Sequence, residues 1–112
     1  MIESYSFGRI VVDDEEYNQD LIVFPDEIKS NWWRKEGHKL CPSDLKEVIE
    51  KSPKVLVVGT GANGRMKVPE DTRDYLEEHG IEMIVEKTER ACERYNELVK
   101  TENAAAALHL TC

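Results

Sequence analysis

No apolar run in this 112-residue sequence approaches the roughly 20 residues that a membrane-spanning helix needs. The opening MIESYSFGR holds no signal-peptide apolar stretch, and no mitochondrial presequence is expected. The three cysteines, Cys41, Cys92 and Cys112, are an odd set without CxxC spacing, whereas structural zinc sites bring their ligands in close pairs. No metal and no cofactor is expected. Basic charge is also scarce. Fifteen Lys and Arg face 23 Asp and Glu, giving a formal net charge of −8, the wrong balance for electrostatic capture of nucleic acid. There is no internal repeat and no low-complexity tract. The expectation from these absences is a cytoplasmic protein with neither membrane nor nucleic acid as partner, a monomer or weak homodimer.

What is present reads as one globular domain over residues 1–112. Forty per cent hydrophobic and 34% charged residues can build a core, and a chain of this length buries roughly 65% of its unfolded surface. The first quarter carries β-branched and aromatic residues between turn signals, which predicts antiparallel strands at Tyr5–Phe7, Arg9–Val12 and Asp20–Phe24. The acidic stretch Asp13–Glu16 reads as a turn. Ile28–Lys35 reads as a further short strand, on which Trp32 and Trp33 point to opposite faces.

From Pro42 the period changes. Leu45, Val48 and Ile49 share one helical face, and Ser52-Pro53 ends that helix. Val55–Val58 is continuously apolar, as a strand covered on both faces should be. Pro69 starts a helix that ends near His79. Ile81–Val85 is a strand, Thr88 is the expected N-cap of a helix carrying Ala91, Cys92, Tyr95, Leu98 and Val99, and Ala104–Leu110 is the last strand. The fold class is thus α/β: a single three-layer domain, with N-terminal antiparallel strands followed by an αβαβαβ unit and helices on a mixed sheet. Right-handed crossovers make the last three strands parallel. If the last of them lies opposite 81–85, a switch point opens beside 55–58, where ligands of open α/β sheets bind.

Gly59-Thr60-Gly61-Ala62-Asn63-Gly64 spells G-x-G-x-x-G after an apolar strand. A dinucleotide fingerprint would start its helix inside the motif, and here the helix starts at Pro69. The chain is also too short for a second mononucleotide half. The open readings are a tight turn that exploits glycine at positive φ and a small-anion pocket of backbone N–H groups. The ligand-binding candidates are Gly59, Thr60, Gly61, Gly64 and Arg65, joined by His38 and His109 if the strand ends converge. On that topology Thr88, Cys92 and Cys112 reach the same edge. Cys92 and Cys112 are then the candidate disulfide, with Cys41 as the alternative partner and buried reduced thiols as the plain reading. No catalytic residue is assigned. Trp33 and Arg34 are candidates for a partner surface, because tryptophan is enriched at binding hot spots. Arg34, Lys35, His38, Lys39, Arg65 and Lys67 give this acidic chain a locally basic edge.

Phe7-Gly8, Asp20-Leu21-Ile22-Val23-Phe24-Pro25, Trp33-Arg34, Gly37-His38, Val58-Gly59-Thr60-Gly61, Thr88 with Ala91-Cys92, Tyr95-Asn96 and Leu98, and His109-Leu110-Thr111-Cys112 together resemble a family of small domains of unknown function. That family includes the adipogenesis-associated domain-containing protein and a mitochondrial respiratory complex I assembly factor. The resemblance covers nearly the whole chain and implies one three-layer α/β domain. It also implies binding or assembly proteins without an established reaction, cofactor or catalytic residue. Glu27 stands in a turn where relatives often carry glycine. The expected function is a non-catalytic interaction or assembly factor with an unidentified protein partner. The alternative is a small-molecule or anion-binding protein, enzyme or not, that uses the 59–64 loop with Arg65, His38 and His109.

Overall fold

A computed structural model describes all 112 residues. Three short strands, β1 (Ile2–Ser6), β2 (Arg9–Val12) and β3 (Glu15–Tyr17), form a small antiparallel sheet in that order. Five others form the main sheet: β4 (Leu21–Val23), β5 (Ile28–Lys29), β6 (Val55–Gly59), β7 (Glu82–Glu86) and β8 (Ala104–Leu108). Their order is β5-β4-β8-β6-β7, with β7 and β8 parallel to β6 and with β4 antiparallel to β8. The helices are α1 (Lys46–Lys51), entered through a 3-10 turn at Pro42–Leu45, then α2 (Glu70–Glu78) and α3 (Thr88–Leu98). None is long and apolar enough to cross a membrane.

The main sheet has a separate core on each face. One face joins Val55, Val57, Ala104 and Ala106 to Ala91, Cys92 and Tyr95 of α3, and to Ile2, Ile10 and Val12 of the small sheet. The other joins Leu56, Val58, Ala105 and Ala107 to Leu45, Val48 and Leu76 beneath α1 and α2. This is the expected three-layer α/β domain. The continuous apolar sequences of β6 and β8 follow from it, since every residue of both strands is buried. β8 is built from four successive alanines, which leave space on one side for α3 and on the other for the apolar side chains beneath α1 and α2.

Several local expectations need correction. The acidic segment is a hairpin: Asp13 and Asp14 alone make the turn, with φ of 49° and 69°, and Glu15–Tyr17 pairs with β2. Aspartate tolerates the left-handed region that a two-residue hairpin requires. Ile28–Lys35 is a strand only at Ile28–Lys29, although Trp32 is buried and Trp33 exposed as alternation predicts. Thr88 lies inside the first turn of α3, whose N-cap is Lys87. Its hydroxyl is spent elsewhere, as described below. Glu27 makes its turn without a positive φ, so nothing there calls for glycine.

The two-sided burial of β8 generates a prediction. Ala106→Leu pushes extra methylenes into the packed layer under α3 and should lower stability by about 1–3 kcal/mol. Urea denaturation measures this, and an unchanged midpoint would contradict the packing described.

Candidate functional site

β7 and β8 lie on opposite sides of β6, so the switch point falls at the carboxyl end of β6. Topology gathers five sequence-distant segments there. The loops after β6, β7 and β8 arrive because these strands are parallel. Asp20 arrives because β4 is antiparallel to β8, with Leu21 opposite Leu108. The segment after β5 returns to the same edge, where the Trp32 amide donates to the Asp20 carbonyl at 2.8 Å.

The Asp20 carboxylate is the centre of this edge. Oδ1 accepts from the Leu110 amide at 2.8 Å, and Oδ2 lies 2.7 Å from both His109 Nδ1 and Arg34 NH1. Arg34 also donates through Nε and NH2 to the Gly37 carbonyl, and its guanidinium carbon stands 4.9 Å from the centre of the Trp32 ring. The three side chains are 16%, 7% and 5% exposed for Asp20, His109 and Arg34. Burial by itself would raise the Asp20 pKa, but the hydrogen bonds from His109 and the Leu110 amide, with the adjacent Arg34 charge, outweigh it and hold the carboxyl below its ordinary value.

His109 Nδ1 also lies 3.0 Å from Arg34 NH2. A guanidinium only donates and a carboxylate only accepts, so one Nδ1 cannot satisfy both. The Asp20 contact is the shorter and its acceptor is ionised, which assigns the proton to Nδ1 and directs it to Asp20. In the neutral ring, Nε2 is then an acceptor. It is enclosed and has no partner, and the Arg34 NH1 hydrogens, though at ion-pair distance from Asp20, are also not aligned with an acceptor. No serine, threonine or cysteine is bonded to Nε2, so the pair lacks the nucleophile that a triad needs. No group of three His, Cys, Asp or Glu side chains stands close enough to hold a metal ion.

An opening of about 250 Å³ lies over this centre, bordered by Asn18, Gln19, Asn31, Trp33, Gly37 and Thr111. Trp33 projects from its rim and is 77% exposed. The adjacent Trp32 is its anchor: buried, with Nε1 donating to the Asp44 carbonyl at 2.9 Å. The Asp44 carboxylate in turn accepts from the Lys35 and Cys41 amides, which fixes both ends of the segment that follows.

The glycine loop is turned inward. The Gly61 amide donates to Thr88 Oγ1, the Ala62 amide to the Thr111 carbonyl, the Arg65 amide to the Cys112 carbonyl and the Met66 amide to the Thr60 carbonyl. Thr88 Oγ1 then donates to the His109 carbonyl at 2.6 Å. Gly61, at φ +108°, has its missing Cβ position 2.4 Å from the Cys112 carbonyl carbon and 2.8 Å from His109 Cδ2, so only glycine fits. Gly59 is similarly crowded by Thr88 and Leu108. The amides that would form an anion nest are spent within the chain: Ala62 and Arg65 bind residues 111 and 112, Gly61 binds Thr88 and Met66 binds Thr60.

The structure therefore brings Gly59, Thr60, Gly61, Gly64, Arg65, His38 and His109 to one edge, with the His38 and His109 rings edge-to-face at 5.7 Å. Trp33 and Arg34 join them. Cys92 does not: it lies one turn further along α3, buried in the core that α3 shares with the small sheet, while the Cys112 carbonyl sits over the glycine loop. All three cysteines are free and the expected disulfide is not formed. Burial, followed by the nearby Glu89 and Glu93, pushes the Cys92 thiol up to about 12. Sequence reasoning missed Asp20 and Asp44 as organisers. The only signal for Asp20 was an acid placed directly before an apolar strand.

Asp20 makes stability pH-dependent. Its native pKa is depressed, so its contribution is complete above the unfolded value near 3.8 and is lost as pH falls through the native value. Asp20→Ala should cost about 3 kcal/mol at neutral pH, because it strands Arg34 in a buried site, and should flatten the acid limb of a stability profile measured by urea denaturation. A variant as stable as the parent would remove the carboxylate from its central role.

Residues 2–109 match the model of a family described as protein of unknown function (DUF498/DUF598). Among solved structures, a conserved hypothetical protein from Pyrococcus horikoshii OT3 is 27% identical over 100% of this chain and 99% of that one, with a TM-score of 0.84. An outer membrane protein from Bartonella henselae is 26% identical over 99% and 94%, also at 0.84. A Mth938-like domain from Bordetella pertussis, 18% identical over 98% and 85% with a TM-score of 0.70, shares the fold.

Proposed function

We propose that this chain, which belongs to the DUF498/DUF598 family of proteins of unknown function, is an interaction or assembly factor that docks a protein partner through Trp33 and the rim around it. The observation that carries this reading is the contrast between two adjacent tryptophans. Trp32 is buried and hydrogen-bonded, while Trp33 is held in solvent beside a rigid ionic floor. The burial of Trp32 anchors the backbone from which Trp33 projects, and tryptophan is among the residue types enriched at interface hot spots. The resemblance to a family that includes a mitochondrial complex I assembly factor supports the same reading.

A photo-crosslinking amino acid at position 33, introduced in the native cells, should trap one defined partner. Trp33→Ala should weaken capture of that partner by the purified chain at least about 25-fold, as loss of a hot spot of about 2 kcal/mol or more does. Crosslinks no different from those at exposed Lys100 would sink the proposal.

The second reading is a small polar ligand in the opening over Asp20. It is favoured by the enclosed Nε2 of His109 and NH1 of Arg34, which lack hydrogen-bond partners. A thermal-shift screen of phosphates, carboxylates and nucleotides tests it. A ligand at about 100 times its Kd adds about 2.7 kcal/mol of stability, and no shift with any compound removes this reading.

A further inference from the structure

The edge that carries Trp33 has a charge opposite to that of the whole protein. Segments 33–39, 60–68 and 86–88 hold six of the 15 Lys and Arg but two of the 23 Asp and Glu. Hydrogen bonds and close contacts make these segments neighbours. The Lys67 amide donates to the His38 carbonyl, Lys39 and Lys67 are bridged, the Arg65 amide donates to the Cys112 carbonyl, and the Lys87 stem lies against Gly64. Arg34 is consumed by Asp20. Lys35, Arg65, Lys67 and Lys87 are exposed and form no ion pair, and Lys39 reaches only Glu36, at 3.9 Å. Elsewhere Arg9, Lys29, Lys51, Lys54, Arg90 and Arg94 each have an acidic partner, and only Lys46, Arg73 and Lys100 stand alone.

We infer that the docking edge selects an acidic polypeptide segment with an apolar anchor, which seats beside Trp33 while its carboxylates face Lys35, Lys39, Arg65 and Lys67. The inference rests on the docking function proposed above and names the partner's chemistry. Screening makes it compatible with a net charge of −8. The molecule spans 34 × 30 × 20 Å, and at physiological salt the screening length is about 8 Å, so an approaching segment feels this edge and little of the acidic remainder. A nucleic-acid strand presents a denser and more extended negative charge that would overhang the edge onto acidic surface. The glycine loop offers it no free amide nest, since four of its amides are bonded within the chain. An acidic peptide supplies both the short charge run and the apolar group that an exposed indole recognises.

The probe is a short fluorescein-labelled peptide of alternating aspartate and glutamate around one central phenylalanine, titrated into the intact chain. Anisotropy should report binding that weakens as salt rises. Amide and indole NMR shifts should concentrate at Trp33, Lys35, Lys39, Arg65 and Lys67. Joint charge reversal by Arg65→Glu and Lys67→Glu should reduce affinity at least about tenfold. Neither side chain makes an ion pair or hydrogen bond, so the double variant should keep the parent's unfolding midpoint. Lys100→Glu, which follows α3 at the opposite end of the strands, should change nothing. Four results would overturn the inference: no binding at low salt, shifts centred elsewhere, tighter binding of a single-stranded oligonucleotide of equal length, or a dimer closed through this edge in sedimentation. If crosslinking at position 33 traps a partner without an acidic segment, the docking function stands and this inference falls. If no partner is trapped, both fall.

Discussion

One carboxylate holds together three parts of the chain that share no local structure. Asp20 precedes β4, Arg34 follows β5 and His109 follows β8, and each of the latter two is fixed by its contact with the first. A buried carboxylate in an α/β core is costly unless its charge and lone pairs are matched. Here a guanidinium, an imidazole N–H and a backbone amide share that task. The surrounding features follow. Arg34 can be inside because Asp20 is there. Trp32 packs beneath Arg34, and the chain direction that buries Trp32 leaves Trp33 facing out.

The glycine loop has a different role from the one its spelling suggests. Its φ values and missing side chains serve close approach to the 109–112 segment, so it fastens the strand ends together and does not expose a row of donors. Thr88 closes this arrangement by accepting from Gly61 and donating to the His109 carbonyl. The same loop that invites comparison with phosphate-binding motifs thereby becomes part of the wall behind His109.

The main elements were legible because burial on two faces writes itself into consecutive residues. Val55–Val58 and Ala104–Leu108 have almost no polar positions, and the helix at Thr88–Leu98 has a clear apolar stripe. The convergence of His38, the glycine loop, Thr88 and His109 was legible too, since it follows from parallel strand order alone. Two things were not. Asp13–Glu16 concealed a hairpin because its strand, Glu15–Tyr17, is three residues long and opens on two exposed glutamates, with only Tyr17 turned to the core. Asp20 was hidden because a charge shared across 89 residues of sequence leaves no local pattern. The disulfide expectation failed at a finer scale: Cys92 is on the right helix but one turn too deep.

β8 follows every other strand in the chain yet sits in the middle of the main sheet, between β4 and β6. During synthesis, β4 and β6 therefore have no shared neighbour to pair with until residues 104–108 have emerged. Until then neither His109 nor the alanine layer under α3 is present. The ionic floor beneath Trp33 is thus complete only once the residue that follows β8, His109, has reached Asp20.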